Sequence, residues 1–450
     1  MIKTNLVEFE NDLKEVLMLY PEAEATLTAS FFDGKMESEV VINGKPFNYS
    51  YSLEFNDKLE EKRLKKRCAK LCLYKALSNY FEREMPWGAL TGIRPTKLAY
   101  MEKEKGDFEK FFKETMLVSN EKTSLIKDIL DEQVGIYEKN DNSFDLFVSI
   151  PFCPSRCTYC SFISGEIARC KDLIPKYIDA LVKEIEESKK LIKELKSVYI
   201  GGGTPVALET KDLKRVLDAV GVQTVEYTVE AGRPDAITKE KLELLKQYGV
   251  SRICVNPQTF NDKTLALIGR KHTANDIIEK YNLAKEYFSI NMDLIAGLPE
   301  ETVEDFKNTL DKTISLRPDN ITVHTLCIKR GSKLAESVKR LDDSGVKEMT
   351  DYASNELRKA GYKPYYLYRQ KYMTENLENT GYALKGKACV YNINIMEEIS
   401  NIVANGANAV SKRVFNGGER LERVGNPKDI KTYIEKIDKL VEDKTKLFTE

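Results

Sequence analysis

The sequence predicts an α/β protein centred on an open, partial (βα)6 barrel, with a small α+β domain before it and a covering domain after it. Two observations carry that prediction. Six short β-branched or aromatic runs, beginning with "LFVSIPF", alternate with stretches of helical period over about 185 residues. The unusual side chains of the chain fall at the ends of those runs, where parallel α/β sheets build their sites.

Taken in order, residues 1–140 read as the α+β domain. "EATLTASFF", "ESEVVI" and "NYSYSLEF" are strand-like and alternate with charged helical stretches. Cys68 and Cys72 sit four apart on one such helix and read as buried small apolar residues. "MPWGALTGIRPTKL" (85–98) holds the only tryptophan and reads as a docking loop or as an ordinary helix connection. Residues 141–330 are the barrel, from "LFVSIPF" through "SVYIGGG", "VEYTVEAG", "RICVNPQ", "INMDLIAG" and "NITVHTL". Between the first two, Leu173, Tyr177, Leu181 and Ile185 recur one helical turn apart. Six units are too few for the usual eight-stranded closed barrel, which leaves an open barrel or, failing that, a doubly wound sheet. Residues 331–450 form the covering domain.

The cysteines of "PFCPSRCTYC" follow the first run, and Gly201 to Pro205 close the second. Glu230 ends the third and Gln258 the fourth, Asp293 lies on the fifth, and His324 on the sixth. Six strand ends carrying such side chains to one rim point to an enzyme, although no single catalytic residue emerges.

Composition narrows the class. The chain of 450 residues is 42% hydrophobic and 31% charged, as a folded globular protein is. Its net charge of -1 gives nucleic acid and membrane surfaces no support as general partners. With an acidic start and no long apolar run, the expectation is a cytoplasmic protein. Nine cysteines, an odd number, do not make a disulfide framework there.

Cys153, Cys157 and Cys160 are spaced Cys-x3-Cys-x2-Cys. A structural zinc site asks for four ligands, usually as two pairs. A dithiol pair asks only for Cys157 and Cys160. An iron-sulfur cubane fits better, because a short loop can hold three corners and leave the fourth iron open to a small chelating ligand.

With Tyr159 before the last cysteine, this loop resembles that of the radical S-adenosylmethionine superfamily. "SIPFCPSRCTYCSF", "YIGGGTP", "EAGRPDAIT" and "INMDLIAGLPEET" resemble the oxygen-independent coproporphyrinogen III oxidases over residues 146–330. A weaker likeness runs through "YYLYRQKYMTENLENTGYA", and "VANGANAVSK" is a loose version of a glycine-rich turn. The chain looks most like the long Gram-positive branch, coproporphyrinogen dehydrogenase. The resemblance implies a partial barrel of the radical S-adenosylmethionine type, with a 4Fe-4S cluster on Cys153, Cys157 and Cys160. It implies S-adenosyl-L-methionine as second cofactor, with Phe147, Tyr159, Gly202, Gly203, Thr204, Glu230, Gln258, Arg270 and Asp293 about it. The cluster's electron releases a 5'-deoxyadenosyl radical from that cofactor. The implied reaction is oxidative decarboxylation of propionates to vinyls in haem biosynthesis, with a tetrapyrrole substrate and an electron donor of ferredoxin or flavodoxin type.

Phe147 and Ser149 stand where the oxidases have tyrosine and histidine, and Phe162 where they have a cysteine. The rival readings are a haem-binding chaperone, a haem-opening methyltransferase and an RNA modifier. For the substrate, Arg369 and Lys371 in "YYLYRQKYM" are expected to meet carboxylates, Arg369 bidentately. The competing account of that stretch is a β-strand with aromatic packing.

Overall fold

Alternation decides the first part of the chain. Along β2 (Ala25–Phe32), buried Ala25, Leu27 and Ala29 alternate with exposed Thr26, Thr28 and Ser30, so one face is apolar and one is wet. β1 (Ile2–Thr4) pairs with it in parallel; β3 (Lys35–Ile42) and β4 (Lys45–Ser52) follow antiparallel. Helices α1 (Glu10–Leu17) and α2 (Lys58–Phe81) cover the apolar face. Cys68 and Cys72 are in that core, where the Ser38 hydroxyl donates to Cys72 Sγ at 3.1 Å.

The computed structural model describes residues 2–161, 165–222, 224, 226–327, 332–334, 345–370, 373 and 376–449. They divide into two compact units, 1–127 with 369–377, and 128–368 with 378–450. The boundaries therefore differ from those expected at 140 and 330. The chain re-enters the first unit at Arg369, and residues 378–450 join the barrel unit.

Arg369 is the main correction. Its side chain is 2% exposed and lies 5.0 Å over the ring of Trp87. Its guanidinium donates to the carbonyls of Leu90 and Asn376, and its backbone N–H to Ile93 at 2.8 Å. The described contacts spend this guanidinium on backbone carbonyls and a ring of its own unit, and "MPWGALTGIRPTKL" is the cradle around it. Lys371, its expected companion, and Phe162 lie outside the described residues.

The second unit is built on one sheet. All six expected strands are present: β5 (Ser143–Ile150), β6 (Glu194–Gly202), β7 (Glu226–Val229), β8 (Arg252–Cys254), β9 (Ser289–Ala296) and β10 (Asn320–Thr325). Each pairs in parallel with the next in sequence, which is the order of a (βα) barrel. The covering domain expected after 330 instead extends this sheet at both edges. β11 (Lys363–Tyr368) and β12 (Asn379–Ala383) run antiparallel beyond β10. β13 (Asn401–Asn405) pairs in parallel with β5 and carries β14 (Val410–Phe415) and β15 (Arg420–Gly425) outward. Among the described residues β11 and β15 are not paired with each other, so the sheet is open.

Leu146, Val148 and Ile150 of β5 pack outward with Val198, Ile200 and the helix side chains Ile178, Leu181 and Ile185. Asp145, Phe147 and Ser149 point to the other face, because the strand period is two. At the start of the strands that inner face is closed by helix α3 (Val390–Glu397). Glu226 accepts the helix's first backbone N–H groups, Val390 at 2.9 Å and Tyr391 at 3.0 Å, and also Arg252 Nη1 at 2.8 Å. Asp145 accepts from Ser197 Oγ at 2.5 Å and from Asn394 Nδ2 at 3.0 Å. The last helix, α4 (Ile437–Thr449), is held by Lys444, whose Nζ donates to Glu184 at 2.7 Å, both side chains fully buried.

Candidate active site

Strand β5 delivers the cysteines. Phe152–Cys153 pairs briefly with Gly165–Glu166, and the Gly165 N–H donates to Pro151 O at 2.8 Å, closing the loop at its base. Ser155 Oγ donates to Gly269 O at 3.0 Å and the Thr158 N–H to Ile268 O at 3.1 Å, tying the loop's far side to the segment before Arg270. Cys153, Cys157 and Cys160 are not joined in disulfides and are half-buried. The three residues sit on one loop beside Gly201–Thr204, at the C-terminal end of the sheet.

The glycines are required by the protein's own backbone. The N–H groups of Gly203 and Thr204 donate to Ile150 O at 2.8 Å and Phe152 O at 2.7 Å. A Cβ at Gly203 would stand 2.6 Å from Phe152 O. Gly202 has φ +100, and a Cβ there would meet Ser149 Oγ at 2.8 Å. The run thus lets β6 press against the start of the cysteine loop, and Thr204 Oγ1 reaches Cys153 Sγ at 3.4 Å.

Two arginines face the same loop. Arg270 is buried, donates to Asn256 O at 2.5 Å and to the Tyr159 hydroxyl at 3.3 Å, and lies against the Cys157 thiol. Burial, only partly offset by Arg270, raises the Tyr159 hydroxyl well above its ordinary pKa, so it stays protonated. Arg233 Nη1 is 3.7 Å from Cys157 Sγ. Half-buried sulfurs with guanidinium groups against one of them suit thiolate ligands, which need compensating positive charge.

Deeper on the rim, two carboxyl groups are pushed apart. Glu230 accepts from the Tyr199 hydroxyl at 2.7 Å, and burial with the nearby charge of Asp293 pushes its pKa up to about 7. For Asp293, burial is outweighed by His324, Asn291 and Thr322, and its carboxyl lies below the usual range. Asn291 Nδ2 donates to it at 2.8 Å, and His324 Nε2 lies 3.8 Å away. The other His324 nitrogen is 3.3 Å from the Tyr368 hydroxyl. Pairs of carboxyls with divergent ionisation are a mark of functional sites.

Gln258 adds a second mark. It is a non-glycine residue at φ +66, buried, and its Oε1 has no hydrogen-bond partner among the described residues. A left-handed backbone and an orphaned buried carbonyl each cost free energy that the fold alone does not recover. Phe147 instead stacks against Tyr199 and Tyr391, with ring centroids 6.3 and 6.2 Å away.

Sequence reasoning passed over Arg233 and Tyr199. Arg233 stands three residues after Glu230 in a motif already singled out, and Tyr199 shares a strand face with Gly201. His272, in the polar stretch "GRKHT", is 5% exposed, with Nδ1 3.4 Å from Asp235.

Residues 147–313 match the model of the radical SAM superfamily. Over 385 residues, 80% of this chain and 76% of the relative, the sequence is 38% identical to the oxygen-independent coproporphyrinogen-III oxidase-like protein HemZ of Bacillus subtilis. The chain belongs to the radical SAM superfamily, among the coproporphyrinogen-III oxidase-like proteins. It is also 30% identical to the heme chaperone HemW of Haemophilus influenzae, over 63% of this chain and 74% of that one. Coproporphyrinogen III oxidase (HemN) from Escherichia coli shares the fold, with a TM-score of 0.54 at 22% identity over 68% of this chain and 72% of that one. As a radical SAM protein, the chain has a 4Fe-4S cluster and S-adenosylmethionine as its cofactors. No helix among the described residues is long and apolar enough to cross a membrane.

Proposed function

We propose that this chain is a cytoplasmic oxidoreductase that oxidatively decarboxylates the propionates of coproporphyrinogen III to vinyls, in the manner of a coproporphyrinogen dehydrogenase. The observation that carries the reading is the rim itself, where the cysteine loop stands beside two carboxyl groups of opposite ionisation and a strained glutamine. In this reading Cys153, Cys157 and Cys160 ligate the cluster. Arg270 pairs with the carboxylate of S-adenosylmethionine, and Glu230, Gln258 and Asp293 take its amino and ribose groups. Thr204 packs between cofactor and Cys153, and Tyr159 stays neutral beside Arg270. What the bound pair supplies is a radical able to take a hydrogen atom from an unactivated carbon. Asp293 keeps its charge because Asn291 donates to it and His324 stands 3.8 Å away, whereas Glu230 changes charge near neutrality. A ferredoxin- or flavodoxin-type donor would supply the electron that starts the reaction, and the electron left on the substrate when carbon dioxide leaves would pass to a separate acceptor.

Anaerobic turnover with coproporphyrinogen III, followed by mass spectrometry, tests the reading: loss of carbon dioxide from the propionates is expected. The similarity to heme chaperones supports a second reading, in which the chain binds haem without converting it. Stoichiometric haem binding, with S-adenosylmethionine cleavage but no decarboxylated product, would favour that one.

A further inference from the structure

Arg233 has no part in the reading above, yet it is among the most tightly held side chains of the rim. It is 3% exposed and every edge of its guanidinium is engaged. Nε and Nη2 form a fork on Asp235 at 3.0 and 2.9 Å. On the opposite side, Nη2 donates to Ser155 Oγ at 3.0 Å, and Nη1 to Ser155 O at 3.2 Å and toward Cys157 Sγ at 3.7 Å. Asp235 is itself backed by the buried ring of His272. Burial opposes its ionisation, but His272 and Arg233 outweigh that and hold its carboxyl well below the usual range. The result is a fixed dipole whose positive end touches the cysteine loop and whose negative end lies one residue length behind it.

We propose that Arg233 is a positioning residue that sets the reduction potential of the cluster, through its charge and its N–H directed at Cys157. The proposal rests on Cys153, Cys157 and Cys160 being the cluster ligands. Reduction brings in one electron from an external low-potential donor, dithionite in the test below, and makes an anionic thiolate site more negative. A cation fixed beside one ligand sulfur favours that reduced form, and hydrogen bonds to sulfur act in the same direction. Anchoring alone would need only the two Ser155 contacts. The third contact, to sulfur, is what links this arginine to the cluster's charge. Arginine is suited to it because its planar fork engages Asp235 and the loop together, which a lysine ammonium cannot do.

The test uses the full chain, anaerobically reconstituted, with iron content and midpoint potential by EPR-monitored dithionite titration as readouts. R233Q is expected to hold wild-type iron at a more negative midpoint. D235N keeps an oxygen acceptor but removes the counter-charge, so its midpoint is expected to move positive. Opposite shifts are the signature, because a loop that had merely loosened would move both variants alike. Shifts of the same sign, or none in either variant, overturn the proposal. If R233Q cannot be loaded with iron, D235N decides: a positive shift supports the role and an unchanged midpoint ends it. Iron retained by the C153A/C157A/C160A protein would overturn the ligand assignment itself, a failure that neither potential measurement can mimic.

Discussion

The two ends of the inner sheet face both bury acid groups, and they treat them differently. At the strand starts, both oxygens of Glu226 and of Asp145 are taken by fixed donors: Arg252, two helix N–H groups, Cys389, Ser197 and Asn394. At the strand ends, Glu230 takes the Tyr199 hydroxyl and the Gly202 backbone yet is still pushed up to about 7 by burial, and Gln258 holds a left-handed backbone with an orphaned carbonyl. The two carboxyls at the starts are saturated and carry stability. The rim is left incomplete by the chain itself, which is the state expected of groups that await a ligand.

The largest effect should come from the cysteines. Replacing Cys153, Cys157 and Cys160 together with alanine is expected to remove all cluster iron, measured per chain after anaerobic reconstitution, while changing Cys68 and Cys72 leaves it bound. Next comes the start of the strands. Glu226→Ala strands buried Arg252 and two helix N–H groups, and a broken buried pair costs about 3–5 kcal/mol. The unit's calorimetric transition should fall accordingly; an unshifted transition would end the claim that this end carries stability. The rim should answer in the opposite sense. Asp293→Asn and Glu230→Gln are expected to weaken S-adenosylmethionine binding by roughly 1.5–3 kcal/mol, the worth of a charged hydrogen bond, with iron and melting temperature unchanged. Calorimetric titration of the reconstituted protein measures it, and wild-type affinity in both would break the contrast.

The smallest effect is a slope. Burial pushes Asp145 up to about 7 from its ordinary 3.8. In the folded state it therefore binds its proton more tightly than in the unfolded chain. Its contribution to stability is fully present below the unfolded value and fades as pH rises through about 7. Asp145→Asn, which keeps an acceptor for Asn394, should flatten that part of the stability–pH curve; an identical slope in both proteins would show that this carboxyl does not titrate there.

The barrel strands were legible because each is an apolar run bounded by turn residues. The edges were not. Whether "NIVAN" lies beside β5 depends on a pairing between Asn401 and Phe144, which no local pattern encodes. "YYLYRQKYM" was read as a substrate contact with a packed strand as the competing account; β11 stops at Tyr368 and Arg369 enters another unit. Burial of that guanidinium comes from Leu90 and Trp87, far away in sequence. At the glycine run, the group that comes close is the chain's own Phe152 carbonyl.

The pairing of β13 with β5 also sets a schedule. The strand that carries the cysteines leaves the ribosome long before its neighbour, since Ser143 and its partner Asn401 are 258 residues apart. At roughly 5–20 residues per second, that interval lasts on the order of 10–50 s. Through it, β5 has β6 on one side and a bare edge on the other, beside thiols without metal. A nascent chain in that condition is exposed to oxidation and to edge-on association. Slowing translation over residues 200–400, or raising oxygen during expression, should therefore lower the yield of iron-loadable protein more than the yield of chain.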